Sequence, residues 1–161
     1  MPKKQARVYL AAEIAASLLS LCSGVAAFSP LPLVNAAPNA QTNPHYTAAI
    51  SRLKQEDLQG AMGELNQAIQ LDPSLADAYT LRGILHMGNR DPLKAAEDFT
   101  QVTRLQPKSA EAYINLTKSQ LMLKDYRTAL QSATKAKQLD PQSQDAALLV
   151  NLAQSLVDAA Q

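Results

Sequence analysis

ADAYTLRGILHMGNRDPLKAAEDFTQVTRLQPKS, residues 76–109, is the stretch whose reading decides the fold. Its LQP at 105–107 is flanked at equal distances by an LDP at 71–73 and another at 139–141. Aligned on these prolines, the flanking sequence falls into two more copies. They are TNPHYTAAISRLKQEDLQGAMGELNQAIQLDPSL (42–75) and AEAYINLTKSQLMLKDYRTALQSATKAKQLDPQS (110–143). Other columns then register without adjustment. Tyr79 and Tyr113 align with His45, Ala49 with Gly83 and Thr117, and Ala61 with Ala95 and Ala129. Ala68, Val102 and Ala136 follow, beside Leu65, Phe99 and Ala133. A fixed period of this length marks an array of stacked supersecondary units.

Each copy reads as two antiparallel helices. The small-residue columns let the two backbones approach, and the larger side chains fill the flanking holes. Asn43-Pro44 and Asp91-Pro92 place a capping side chain before a proline at the first helical position. Ser109, Asp125 and Ser143 are further caps, and Ser74 with Asp77 resembles a capping box. Pro73, Pro107 and Pro141 stop the second helix of each copy. The pattern predicts helices near 44–55, 58–71, 76–88, 92–105, 110–123, 126–139 and 143–159. The last takes the place of a fourth copy's first helix. Leu148, Leu149, Leu152 and Leu156 give it one apolar face, and Asn151, Gln154 and Asp158 serve its solvent side. Such a helix caps an array that otherwise exposes its core.

Composition agrees with an all-α chain. The 161 residues are rich in Ala, Leu and Gln, with no Trp and two Phe, and almost nothing alternates with period two. The net charge is +1, yet Lys3, Lys4 and Arg7 supply the excess; from Ala37 onward 12 basic residues face 13 acidic ones. No basic stripe exists to grip phosphates, which excludes nucleic acid as the expected partner. Cys22 is the single cysteine and lies in the N-terminal apolar run, so no cysteine-based metal site or nucleophile exists in the body.

The repeats resemble the tetratricopeptide repeat family over residues 42 to about 159. Ala78, Tyr79, Gly83, Ala95, Phe99 and Pro107 make the middle copy the best match; Ala133 stands where the family usually has a large residue. The resemblance implies a right-handed α-solenoid of antiparallel helix pairs, with the first helix of each pair lining a concave groove that holds a partner. Carried over by register, the groove residues are Tyr46, Ile50 and Leu53, then Thr80, Ile84 and Met87, then Ile114, Lys118 and Leu121. The row is mainly apolar, so the expected partner segment is apolar, extended or helical. Family members that grip the carboxylate end of chaperones use Lys, Asn and Arg at places that here hold Tyr46, Ile50, Leu81, Glu111 and Asn115. The cations are missing, and Glu111 repels a carboxylate.

Catalysis is not expected. His45 and His86 lie in different copies, and Glu56-Asp57 and Glu97-Asp98 are adjacent carboxylates that point apart on a helix and suit solvation. No Gly-rich phosphate loop, HExxH or GxSxG occurs, and no cofactor or metal is implied. Asn115-Leu116-Thr117 spells a glycosylation sequon but falls in a packed helical column. Nothing in the sequence demands self-association.

Residues 1–36 read as an address. A basic start, MPKKQAR, leads into an apolar run from Ile14 to Val34, and both Val25-Ala26-Ala27 and Val34-Asn35-Ala36 fit a small-x-small cleavage site. Export to a bacterial periplasm or a lumenal compartment is the expectation, with cleavage after Ala36 and Ala27 as the second site. Residues 37–43 then form a linker and 44–159 the repeat domain. The alternative is an uncleaved anchor over 14–34 that fixes a structural subunit to a membrane, the only membrane contact the sequence suggests. Leu21 before Cys22 argues against lipidation. N-terminal sequencing of protein from its native cells is expected to begin at Ala37. A chain that retains Met1 or Pro2, recovered only with membranes, supports the anchor instead.

Overall fold

The computed structural model describes residues 43–160, so the expected signal over 1–36, its alternative as an anchor over 14–34, Cys22 and most of the expected linker lie outside the described residues. Within them are seven helices and no strand. These are α1 (Pro44–Lys54), α2 (Leu58–Leu71), α3 (Ala76–Gly88), α4 (Pro92–Leu105), α5 (Ala110–Met122), α6 (Tyr126–Leu139) and α7 (Gln144–Ala159). Each end lies within one residue of the expectation, because caps and prolines fix the boundaries locally. Asn43, Asp91, Ser109, Asp125 and Ser143 all accept a hydrogen bond from a first-turn amide.

Two punctuation marks differ from their reading. Ser74 and Asp77 form no capping box: Leu75 occupies the cap of α3 without a side-chain bond. Leu75 is buried in the core, and Ser74 instead turns back to Asp72, whose Oδ1 accepts from its amide at 2.9 Å and its hydroxyl at 2.6 Å. Asp57, read as a solvating carboxylate, caps α2 by accepting from the Gly60 amide at 2.8 Å.

The turn inside each unit repeats with the same period. Glu56, Arg90 and Lys124 have φ of 60°, 58° and 61°. The amide after each returns to the carbonyl five residues back, at 3.0, 2.9 and 3.0 Å, closing the preceding helix. The residue that supplies this amide is Asp57, Asp91 or Asp125, the very residue that caps the next helix. One aspartate thus ends one helix and starts another, which fixes the antiparallel hairpin.

Packing is sequential. Each helix lies against its chain neighbours, and α5 also touches α7, the packing of a solenoid of helix pairs. The core is built largely from alanine. Ala49, Ala61, Ala68, Ala78, Ala95, Ala129, Ala133, Ala136, Ala146 and Ala153 are fully buried, around Leu65 and Phe99. Helices joined by methyl groups must run close together, and Gly83 shows how close. A Cβ placed there would lie 2.8 Å from Phe99 Cε1 and 2.9 Å from its Cζ, whereas one at Gly63 would meet nothing within 4 Å. Two glycine substitutions are therefore expected to act in opposite directions in urea unfolding. Gly83→Ala loses about 1–3 kcal/mol by overpacking against Phe99. Gly63→Ala gains about 0.5–1 kcal/mol through helix propensity alone. Unchanged stability in Gly83→Ala would mean that the two helices do not close at this point.

Candidate functional site

The expected groove residues stand at i, i+4 and i+7 on α1, α3 and α5, which puts each trio on one helix face. On α1, Tyr46, Ile50 and Leu53 are half-buried; on α3, Thr80 and Met87 are half-buried and Ile84 is 49% exposed. On α5, Ile114 and Leu121 are half-buried and Lys118 is exposed. Two of the nine also serve the core. Tyr46 packs against the cluster of Ala49, Leu65, Ala68, Leu75 and Ala78, and Met87 packs against Ala95, Phe99 and Leu116.

The apolar row extends further than sequence reasoning carried it. On α7 the buried positions are Ala146 and Ala153, with Leu149 and Leu156 half-buried beside them, while Leu148 is 66% and Leu152 49% exposed. The single apolar face expected for this helix is therefore two stripes, one packed and one open. Leu148 and Leu152 lie one period beyond Ile114 and Lys118, so the register itself carried the signal.

Between α3, α4 and α5 the same side holds a recess of about 170 Å³, whose rim includes Asp77, Thr80, Glu111 and Asn115. The charge of Asp77 is also felt on α1. The Tyr46 phenol is raised above its ordinary range first by burial and then by the negative charge of Asp77.

A second polar feature joins the units. Arg82 donates to Asp98 through Nε at 3.0 Å and Nη2 at 2.6 Å, and to Asn66 of the preceding unit through Nη1 at 2.8 Å. His86 Nε2 lies 4.0 Å from the same carboxylate, and the Arg82 guanidinium sits 5.6 Å from the centre of the Tyr79 ring. With Met62, Lys94 and Glu97, the side chains of Asn66, Arg82, His86 and Asp98 line a recess of about 420 Å³. Asp98 is only 3% exposed, which corrects its reading as a solvating acid. The stripe Ala95, Asp98, Phe99, Val102 faces inward, and that spacing could have found it. Hydrogen bonding to Asp98 raises the affinity of Arg82 for its proton.

The first unit repeats the arrangement with other residues. Glu64, one period before Asp98, accepts from His45 at 2.9 Å and from Arg52 at 3.3 Å, and Arg52 also pairs with Asp57 at 2.8 Å. The third unit has Ser132 in place of Asp98 and Gln120 in place of His86, and the buried Gln120 Oε1 has no hydrogen-bond partner. In the first two units these groups are paired off against one another across helices, an arrangement that fixes packing. Among the described residues no group of three His, Cys, Asp or Glu side chains is placed to hold a metal ion.

Residues 51–89 match the family model described as TPR repeat, and residues 80–144 the one described as tetratricopeptide repeat. Among solved structures, the Sgt2 TPR domain from Aspergillus fumigatus is 18% identical with a TM-score of 0.66, the match covering 77% of this chain and 83% of that one. MamA is 22% identical, TM-score 0.65, covering 68% and 64%. The first TPR of Spaghetti, bound to the HSP90 peptide SRMEEVD, is 15% identical, TM-score 0.64, covering 70% and 89%. At these identities the likeness is one of fold. No curated protein matches the chain by sequence.

The polar contacts carry two expectations for stability. Asp98→Ala leaves Arg82 without its buried partner and is expected to cost about 3 kcal/mol in urea unfolding, with Asp98→Asn milder. The second concerns acid. The Gly60 amide and then Arg52 hold the Asp57 carboxyl below its ordinary range, and hydrogen bonds from His45 and then Arg52 do the same for Glu64. A depressed folded-state value means that the contribution is complete above the ordinary carboxylate range and is lost as pH falls through the depressed one. The thermal midpoint should therefore fall as the pH drops below the ordinary carboxylate range, less steeply in Asp57→Asn, which keeps a capping oxygen without the charge.

Proposed function

The chain belongs to the tetratricopeptide repeat family, and from that premise we propose that it is a non-catalytic scaffold holding a partner protein's segment along α1, α3, α5 and α7. The observation that carries this reading is the open apolar row. Ile84, Leu148 and Leu152 keep about half or more of their surface in water, at positions one or two periods from one another or from a groove position. Each forgoes on the order of 1 kcal/mol of burial that a packed site would give. Exposed aliphatic side chains recurring at one register position across units, beside half-buried Ile114, suit a contact surface.

The family's peptide-holding members supply the precedent: Spaghetti is seen with SRMEEVD, and the second TPR domain of a human relative with the HSP70 peptide SGPTIEEVD. Both peptides end in acidic residues. The corresponding surface here offers Tyr46, Ile50, Leu81, Glu111 and Asn115, so the segment proposed for this chain is apolar rather than an acidic tail. Export of the mature repeat domain behind residues 1–36 completes the proposal. No helix among the described residues is long and apolar enough to cross a membrane.

The test is an affinity capture from native cells, run in parallel with wild type and with Ile84→Glu/Leu148→Glu. Both sites are exposed, so helical content by circular dichroism should be unchanged. Proteins captured by wild type and depleted at least tenfold by the double variant identify the groove partner. Equal capture by both would move the binding surface elsewhere.

A further inference from the structure

α3, α5 and α7 each carry an acid as their second residue: Asp77, Glu111 and Asp145. The acids occupy the same place in successive units, and each stands three and seven residues before the row just described. The faces therefore read Asp77-Thr80-Ile84, Glu111-Ile114-Lys118 and Asp145-Leu148-Leu152, an acidic edge running beside an aliphatic floor. All three carboxylates are exposed, and none has a cation within ion-pair distance among the described residues. Asp77 and Glu111 face one recess. Lys118 is seven residues past Glu111, about 10 Å along the helix, and so lies toward the opposite edge of the row.

A carboxylate in the first turn also complements the helix dipole. That requirement does not choose a side of the helix. α2, α4 and α6 satisfy it with an aspartate cap and place no acid in the first turn. α5 and α7 have serine caps and α3 has none, and all three put their acid on the open side.

Resting on the scaffold reading above, we infer that the groove takes a segment in which aliphatic residues are interleaved with lysine or arginine, the basic side chains meeting Asp77, Glu111 and Asp145. Helices that pack side by side, as α5 and α7 do, lie about 8–10 Å apart, and a like interval sets the spacing of the cations. A polyproline-like extended segment, at about 3.1 Å per residue and three residues per turn, presents every third residue to successive acids; a helical one, at about 1.5 Å per residue, presents about every seventh. The charge is opposite in sign to that of the acidic-tailed peptides held by the solved relatives.

The experiment is selection of a phage-displayed library of random dodecapeptides on the full chain. Selected peptides are expected to combine aliphatic residues with an excess of lysine and arginine. Their affinity should fall about two- to fivefold for each carboxylate neutralised in Asp77→Asn, Glu111→Gln and Asp145→Asn, and fall with added salt. Ile84→Gln/Leu148→Gln, which removes the aliphatic contacts without adding charge, should lower their affinity at least tenfold. Peptides that are aliphatic without a basic excess, yet still lost in Ile84→Gln/Leu148→Gln, would overturn the charge assignment and leave the groove standing. Peptides indifferent to Ile84→Gln/Leu148→Gln would overturn the groove itself, and with it this inference.

Discussion

At Gly83 the α3 backbone comes so close to the Phe99 ring that even a methyl group would collide with it. That contact sets the scale of everything else. A helix pair separated by little more than hydrogen and ring edge can be glued by alanines, and alanines are what fill the columns before and after it. Close pairing in turn leaves the larger aliphatics without room between the helices. They go to the seams between units, as Leu65, Leu75 and Leu116 do, or to the outside, as Ile84, Leu148 and Leu152 do. The open row is thus a by-product of the tight pairing, and the proposed binding surface consists of residues the fold cannot bury.

The two sides of the array consequently have different chemistry. On one, exposed aliphatics border acids with no partner cation among the described residues. On the other, the charged groups are engaged: Arg82 links Asn66 to Asp98 across a unit boundary, and Glu64 gathers His45 and Arg52 within one. Truncating one member of a buried pair leaves the other stranded, so this polar side fixes packing more than it offers chemistry.

Much of this was legible in the sequence, and the exceptions have a common cause. Periodicity and local punctuation located all seven helices, since caps such as Asn43 and Ser143 act within one turn. What escaped was anything depending on which of two neighbouring residues faces inward. Asp57 and Asp98 were each grouped with an adjacent glutamate, although the stripe through Ala95, Phe99 and Val102 already placed Asp98 inside. Leu148 and Leu149 sit side by side, yet Leu148 is open to water and Leu149 is half-buried. His45 and Glu64 are far apart in the chain and meet only because the hairpin closes, a fact no spacing along one helix contains. The capping box at Ser74 failed because burying Leu75 took precedence over satisfying one amide.

The polar links are unevenly distributed along the array. The ion pairs among the described residues all fall between His45 and Asp98, whereas the third unit replaces the Glu64 and Asp98 positions with Ser132 and leaves Gln120 Oε1 unpaired. In a nearly one-dimensional structure, neighbours support only neighbours, so local opening follows local weakness. Local opening is therefore expected first at the last units, with amide hydrogens of α6 and α7 exchanging ahead of those in α3 and α4. A guest held along the array as proposed above would meet a firm seat at one end and a pliant one at the other, where the grip could adjust to guests of differing bulk.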